Sequence, residues 1–347
     1  MKPRLWPARA GVLAALIGMA AISACGGANP AADAPGSTQQ LTKVKVASLS
    51  AAADAPLYAA IEEGYFDDVG LEVELVPVKA SSDVPALLAS GQVDFGTGQP
   101  NATFFNAAAA GIKDPVVLAT NVYGPDTSVP ALLVRKDLAD SGQVTGAGDL
   151  DGETVAVVGP STSSQYFAES AIRAAGGDPG TVEFTVMGLP DMLSALSNGK
   201  IAGAWMFEPL ASTAISGDIA VAVAGVGEVA EGFPTWLQAS EKIVSADPAA
   251  VQAFVEASLR ALGFYEKALV EGRRADIVGI LTKYTNMTEA SDWADVELPT
   301  VSSDGSFDAE AVVAFQQYLV DGGVVDRVTP VPEYLNDSFR QSVLDAG

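Results

Sequence analysis

The chain has 347 residues, 49% of them hydrophobic, which suffices for two domains with packed cores. Its 43 Asp and Glu against 19 Lys and Arg give a net charge of −24, which argues against nucleic acid as a partner, since that binding needs clustered cations. With no histidine and one cysteine, Ser-His-Asp and Cys-His catalysis, His-ligated zinc and an intramolecular disulfide are all excluded.

Residues 1–24 place Lys2, Arg4 and Arg9 before an apolar run from Ala10 to Ile22, too short to span a bilayer and laid out as a secretory signal. The run closes on Ile22-Ser23-Ala24-Cys25, and residues 25–40 continue in Gly, Ala, Pro, Ser, Thr and Gln, a flexible leash that builds no core. Removing the signal leaves 16 basic and 43 acidic residues, a net charge of −27 suited to solubility outside the cell.

Val44 to Ser50 reads as the first strand. Asp54 stands where an N-cap would, Pro56 suits a first helical turn, and that helix runs to Gly64. Gly70 turns the chain into a second strand, Leu71 to Val78. DVPALLASGQV, Asp83 to Val93, then reads as an Asp-capped helix with Val84, Leu87 and Leu88 as its apolar stripe and Gly91 in a left-handed terminal position. A third strand follows and enters the bend GTGQPN.

The same unit returns. DMLSALSNGKI, Asp191 to Ile201, repeats it at an offset of 108; VEFTVM, Val182 to Met187, answers VELVPV, Val73 to Val78; and Thr154 to Ser161 answers the first strand. Both halves therefore run strand, helix, strand, helix, strand, which predicts an α/β fold of two lobes, each a mostly parallel sheet flanked by helices. Asp247 and Pro248 open a later helix with Val251, Phe254, Val255, Leu259 and Leu262 on one face, expected to pack on the first lobe.

APLYAAIEEGYFDDVGLEVELVPV, followed by ALLASGQVDFGTG, resembles the substrate-binding proteins of nitrate, sulfonate, taurine and thiamine-pyrimidine ABC importers. The likeness continues through ALLVRKDL, GPSTSSQ, WMFEPL and LNDSFRQSVL, and so covers nearly the whole mature chain. It implies a type II periplasmic-binding-protein-like fold with two hinge crossings, here VYGPDTSVP (Val122 to Pro130) and EGFPTW (Glu231 to Trp236). Lobe one would hold residues 41–128 and 236–347, lobe two residues 129–235. The ligand would sit in the interlobe cleft, with closure signalled to a membrane permease and its ATPase. Ile22 to Cys25 likewise resembles the bacterial lipobox, which implies lipidation of Cys25 and a membrane anchor. Receptors of this type are monomers without cofactor or metal, and this is the expectation here. The related pyrimidine synthases of thiamine biosynthesis use an active-site His that this chain lacks. A ligand-sensing partner of a membrane receptor and a carboxylate-based enzyme on the same fold are the alternatives.

Ligands of open parallel sheets bind beyond the carboxyl ends of the strands, at helix N-termini. From lobe one this nominates Ser48, Ser50 and Asp54, then Gln99, Pro100 and Asn101. From lobe two it nominates Ser161, Thr162, Ser163 and Ser164, whose hydroxyls either hold an oxyanion or cap a helix, and Trp205 with Glu208, which either stack on and accept from a planar ligand or fill core and cap. GTGQPN lacks the GxGxxG spacing and the Lys of phosphate loops, so it reads as a tight turn at the cleft. Tyr58, Tyr123, Asp126, Phe233 and Trp236 are weaker candidates placed near the first helix or the crossings. Asp94 becomes Ala202 in the second copy and reads as structural. The hydroxyls favour a sulfonate, carboxylate or phosphate oxygen, whereas Trp205, Glu208 and Asp126 favour an aromatic nitrogen compound or amine; an aminosulfonate or a substituted pyrimidine satisfies both. No Arg is among these residues, which disfavours a bare inorganic anion.

Overall fold

The computed structural model describes residues 41–346; the signal, Cys25 and the leash to Gln40 lie outside the described residues. Ten strands form in chain order: β1 (Thr42–Ser48), β2 (Leu71–Pro77), β3 (Phe95–Gly98), β4 (Val116–Val122), β5 (Ala131–Arg135), β6 (Thr154–Val157), β7 (Glu183–Val186), β8 (Gly203–Met206), β9 (Ala220–Gly225) and β10 (Pro234–Ala239). They build two five-stranded sheets, ordered β2-β1-β3-β10-β4 and β7-β6-β8-β5-β9. Strand for strand the orders are the same, with β10 in the first sheet where β5 stands in the second.

These sheets are more mixed than the repeat implied. β1 runs parallel to β2 and β3, and β6 to β7 and β8, but β10 is antiparallel to both β3 and β4, and β5 to both β8 and β9. The physical reason is connectivity. Each parallel pair is joined by a helical crossover within its own half, whereas the antiparallel strand enters its sheet from the other half.

The repeated helix forms twice, as Val84–Ala89 and Leu189–Ser197. Gly91 and Gly199 both take φ of +69°. In each copy the glycine N–H donates to a leucine carbonyl, Leu88 or Leu196, and the next N–H reaches one residue further back, to Leu87 or Ala195. The capping differs from expectation. Asp83 accepts the Ala80 N–H at 3.3 Å in a preceding 3₁₀ turn, and Asp191 lies inside the first helical turn because Pro190 lets that helix begin earlier, behind Gly188.

Gly96 shows how tightly the first copy is packed. A Cβ there would stand 2.4 Å from Val84 Cγ1 and 3.4 Å from Ala47 Cβ. Gly96→Ala is expected to cost about 1–3 kcal/mol of unfolding free energy by overpacking. Combining it with Val84→Ala should recover part of that loss, read as a non-additive double-mutant cycle in urea; strictly additive losses would refute the contact.

The long helix is Pro248–Val270, with the Asp247 carboxylate accepting the Ala250 N–H at 3.0 Å as its cap. Val251, Phe254, Val255, Leu259 and Leu262 are buried against the first sheet, and Phe254 stacks on Phe95 with centroids 4.0 Å apart. The C-terminal residues are shared more widely. The helix Ala309–Asp321 packs on Ala102–Ala109 from the first half and on Ser163–Ala174 from the second. Phe315 at its centre meets Phe105, Tyr166 and Phe233, so one aromatic core runs across both halves. Among the described residues no helix is long and apolar enough to cross a membrane.

Candidate functional site

The segments that carry the chain between the sheets bind one another. Tyr123 N–H donates to the Phe233 carbonyl at 3.1 Å and Gly232 N–H to the Tyr123 carbonyl at 2.7 Å, with Gly232 at φ +76°. A third segment, absent from the sequence expectation, lies along them. Val122 N–H donates to the Thr300 carbonyl, the Thr127 and Thr300 hydroxyls meet at 3.2 Å, and Glu297 accepts both the backbone N–H and the hydroxyl of Ser128. The crossing is therefore three segments thick.

Beyond the carboxyl ends of the strands, the loops of the two sheets meet at Gln99. Its amide nitrogen donates to the Tyr123 hydroxyl at 2.6 Å, and its amide oxygen accepts the Ser163 hydroxyl at 3.0 Å. Gln99 follows β3 in the first sheet and Ser163 opens the helix after β6 in the second, so this glutamine bridges the cleft. Ser50 and Ser161, at equivalent places after β1 and β6, both have left-handed backbones, φ +53° and +55°. Neither is glycine, and paired strain of this kind gathers at ligand clamps. Asn101 caps the helix after Gln99 by accepting the Phe104 N–H at 3.0 Å, and Pro100 completes the turn between them.

Asp54 is fully buried and does not cap its helix, Ala55–Glu62, although Pro56 takes the first turn as expected. Its carboxylate turns back onto the strand ends. It accepts the Ser48 hydroxyl at 2.6 Å, the Thr97 hydroxyl at 2.6 Å, the Leu49 N–H at 2.9 Å and the Tyr58 hydroxyl at 3.4 Å. Burial raises its pKa above the usual carboxylate range, and these hydrogen bonds oppose that rise. The Tyr58 hydroxyl is pushed up as well, by burial first and by Asp54 second. Tyr58 stacks on Tyr284 with centroids 4.5 Å apart. Ser48, Asp54 and Tyr58 thus form a polar knot under the β1 loop and offer no face to a ligand. Asn121 secures the same loop by donating to the Ala53 carbonyl at 3.0 Å.

In the run Ser161 to Ser164 the hydroxyls of Thr162, Ser163 and Ser164 bond to the protein. Thr162 donates to the Gly159 carbonyl at 2.8 Å and Ser163 to Gln99, and the Ser164 hydroxyl, 3.0 Å from Thr162, accepts the Val158 N–H. The Ser161 N–H is taken by Gln165. Ser164 is fully buried, whereas Ser161, Thr162 and Ser163 are half-buried.

Trp205 and Glu208 are not placed as ligand contacts. Trp205 is fully buried, 5.4 Å from Phe167, because a helix residue of the same half fills the space that a stacked ligand would need. Glu208 accepts the N–H and hydroxyl of Ser212, in the first turn of Leu210–Ser216, and the N–H of Glu297 at 2.7 Å. Phe233 and Trp236 are likewise fully buried in the shared core, Trp236 against Phe104 and Tyr334. Asp126 is exposed on the first crossing. Asp94 accepts the Lys45 N–H, the structural part foreseen for it. Nothing in the sequence points to Phe167, Glu297 or Thr300, whereas Thr97 stands 108 residues before Trp205, the offset of the repeat.

A family model described as NMT1/THI5 like matches residues 52–268. Among solved structures, the periplasmic aliphatic sulphonate binding protein SsuA of Escherichia coli superposes with TM-score 0.66 at 15% identity, over 85% of this chain and 92% of that one. The periplasmic nitrate-binding protein NrtA of Synechocystis PCC 6803 gives 0.68 at 14% identity, over 88% and 89%. DSZB in complex with biphenyl-2-sulfinic acid gives 0.62 at 15% identity, over 88% and 99%. No match emerges among curated proteins. At such identities the neighbours show the fold, a two-lobed α/β architecture of the periplasmic-binding-protein type.

Proposed function

The chain belongs to the NMT1/THI5-like family, and on that premise we propose that it is an extracytoplasmic solute-binding lipoprotein of an ABC importer. It captures a small organic ligand between a lobe of residues 41–128 and 236–347 and a lobe of residues 129–235, as a monomer held at the membrane by lipidated Cys25. Closure presents the loaded receptor to a permease and its ATPase. The observation that carries this reading is the Gln99 bridge: a neutral side chain with both amide atoms engaged, one within its own half and one across the cleft. Tyr123, Gln99 and Ser163 are the side chains a ligand would meet on entering. The candidates Ser50, Ser161 and Thr162 flank them.

The test is a thermal-shift screen of the purified chain against sulfonates, taurine, nitrate, amines, pyrimidines and aromatic acids. A ligand at 100 times its Kd stabilises by about 2.7 kcal/mol, or about 5 °C at roughly 2 °C per kcal/mol. A transition temperature that no compound moves would overturn the receptor assignment, and a ligand consumed during the assay would mark an enzyme instead. Cys25→Ser should move the protein from the membrane fraction to the soluble one; an unchanged distribution would refute the lipid anchor.

A further inference from the structure

We propose that the end of the first sheet opposite the cleft carries a second binding site, one for a small alkylammonium. It does not depend on the receptor reading above.

β4 begins at Val116, and β10, antiparallel to it, ends at Ala239, so Asp114 and Glu241 lie at the end of that sheet away from the interlobe cleft. The C-terminal segment joins them there, with the Asn336 N–H donating to the Val116 carbonyl at 2.9 Å and Leu335 bridged to Val116. These three segments, distant in sequence, line a pocket of about 260 Å³. Its apolar walls are Ile112, Pro115, Val244 and Tyr334. Three carboxylates line it as well, those of Asp114, Glu241 and Glu333, against the exposed Lys113; Glu333 is paired with Arg327 at 3.0 Å.

The observation that points to a ligand is Asp114 itself. It is 8% exposed, and its Oδ1 accepts the Glu241 N–H at 2.7 Å. Its Oδ2 is sealed and has no hydrogen-bond partner among the described residues. Holding the start of the helix Glu241–Ala246 needs Oδ1 alone, and a carboxylate oxygen left unpaired inside a protein is costly. Gln238 repeats the signal. It stands opposite Val116, on the sheet face that carries Trp236, and Trp236 packs on the pocket residue Tyr334 with centroids 6.0 Å apart. Gln238 is fully buried, and neither of its amide atoms has a partner among the described residues.

Burial raises the Asp114 pKa above the usual carboxylate range; the Glu241 N–H opposes the rise and the Glu241 charge adds to it. A cation offsets both the burial and that repulsion. Among the described residues no three His, Cys, Asp or Glu side chains group as a metal site, so an organic cation suits the pocket better than a metal ion. An ammonium on a short apolar stem lays its carbon on Ile112, Val244 and Tyr334. A modest turn of Asp114 about χ2, a broad torsion in aspartate, brings Oδ2 to its N–H groups.

Isothermal titration of the full-length chain with butylammonium tests this, beside butanol and butyrate as neutral and anionic probes of matched size. Butylammonium is expected to bind at least tenfold more tightly than either. Asp114→Asn keeps an acceptor for the Glu241 N–H and removes the charge, so it should weaken butylammonium at least tenfold, with unchanged circular dichroism as the check on folding. Ser245→Lys, at an exposed position of the pocket lining, supplies an ammonium of its own and should abolish binding; it decides the matter if Asp114→Asn does not fold. Butylammonium bound no more tightly than butanol, or bound undiminished by Ser245→Lys or by a folded Asp114→Asn, would overturn the second site and leave the receptor reading intact.

Discussion

Trp205→Ala is expected to lower the unfolding free energy by about 3–5 kcal/mol, although sequence alone nominates the side chain for ligand contact. The indole is fully buried on β8, packed against Phe167, which in turn meets Phe233 at 5.0 Å and Tyr123 at 6.1 Å. Deleting it opens a cavity beneath the helix Ser163–Ala174 whose first residue reaches Gln99. Trp205→Phe should cost less, under about 2 kcal/mol, because the ring contact survives and the indole N–H has no hydrogen-bond partner among the described residues to lose. Urea unfolding followed by circular dichroism separates these outcomes. A Trp205→Ala variant of native stability whose ligand affinity fell would put the indole back in the cleft.

What was legible beforehand was the part that both halves must repeat. Leu88 and Leu196, Gly91 and Gly199, and the strand after each are scaffold, and their periodicity and turn chemistry are local properties that sequence carries directly. The Gly and Pro of the crossings were legible for the same reason. The source of the fourth strand in each sheet was not, because which strand lies beside β3 or β8 is decided by a connection from the other half. Nor was the role of the hydroxyls after Pro160. Four hydroxyl side chains at a helix start look alike whether they face a ligand or one another, and only the positions of Gly159, Gln99 and Val158 settle where the protons go. Trp205 and Glu208 failed as nominations in the same way: their partners, Phe167 and Glu297, lie far away in sequence. The divergence between Thr97 and Trp205 was visible and real. It marks a polar knot in one half against an aromatic core in the other.

That polar knot supplies the second large effect. Asp54→Ala is expected to cost about 3–5 kcal/mol, because the Ser48 and Thr97 hydroxyls and the Leu49 N–H would lose their acceptor in a buried setting, at about 1–3 kcal/mol for each unsatisfied group with strong non-additivity. Asp54→Asn keeps the shape and one acceptor and should cost much less. The two differ further in their response to pH. Burial raises the folded-state pKa of Asp54 above its unfolded value, so the native protein binds the proton more tightly than the unfolded chain does. Stability is therefore fullest below the unfolded carboxylate pKa and falls as pH rises from there toward the raised native value, the reverse of a salt-bridged carboxylate. Subtracting the unfolding free energies of Asp54→Asn from those of the native sequence across that window should leave a difference that shrinks or changes sign with rising pH. A difference that grows with pH would mean that the hydroxyls and the Leu49 N–H hold the carboxylate ionised. In either case the β1 loop, with Ser50 at its strained turn, depends on this one buried acid for its place at the cleft.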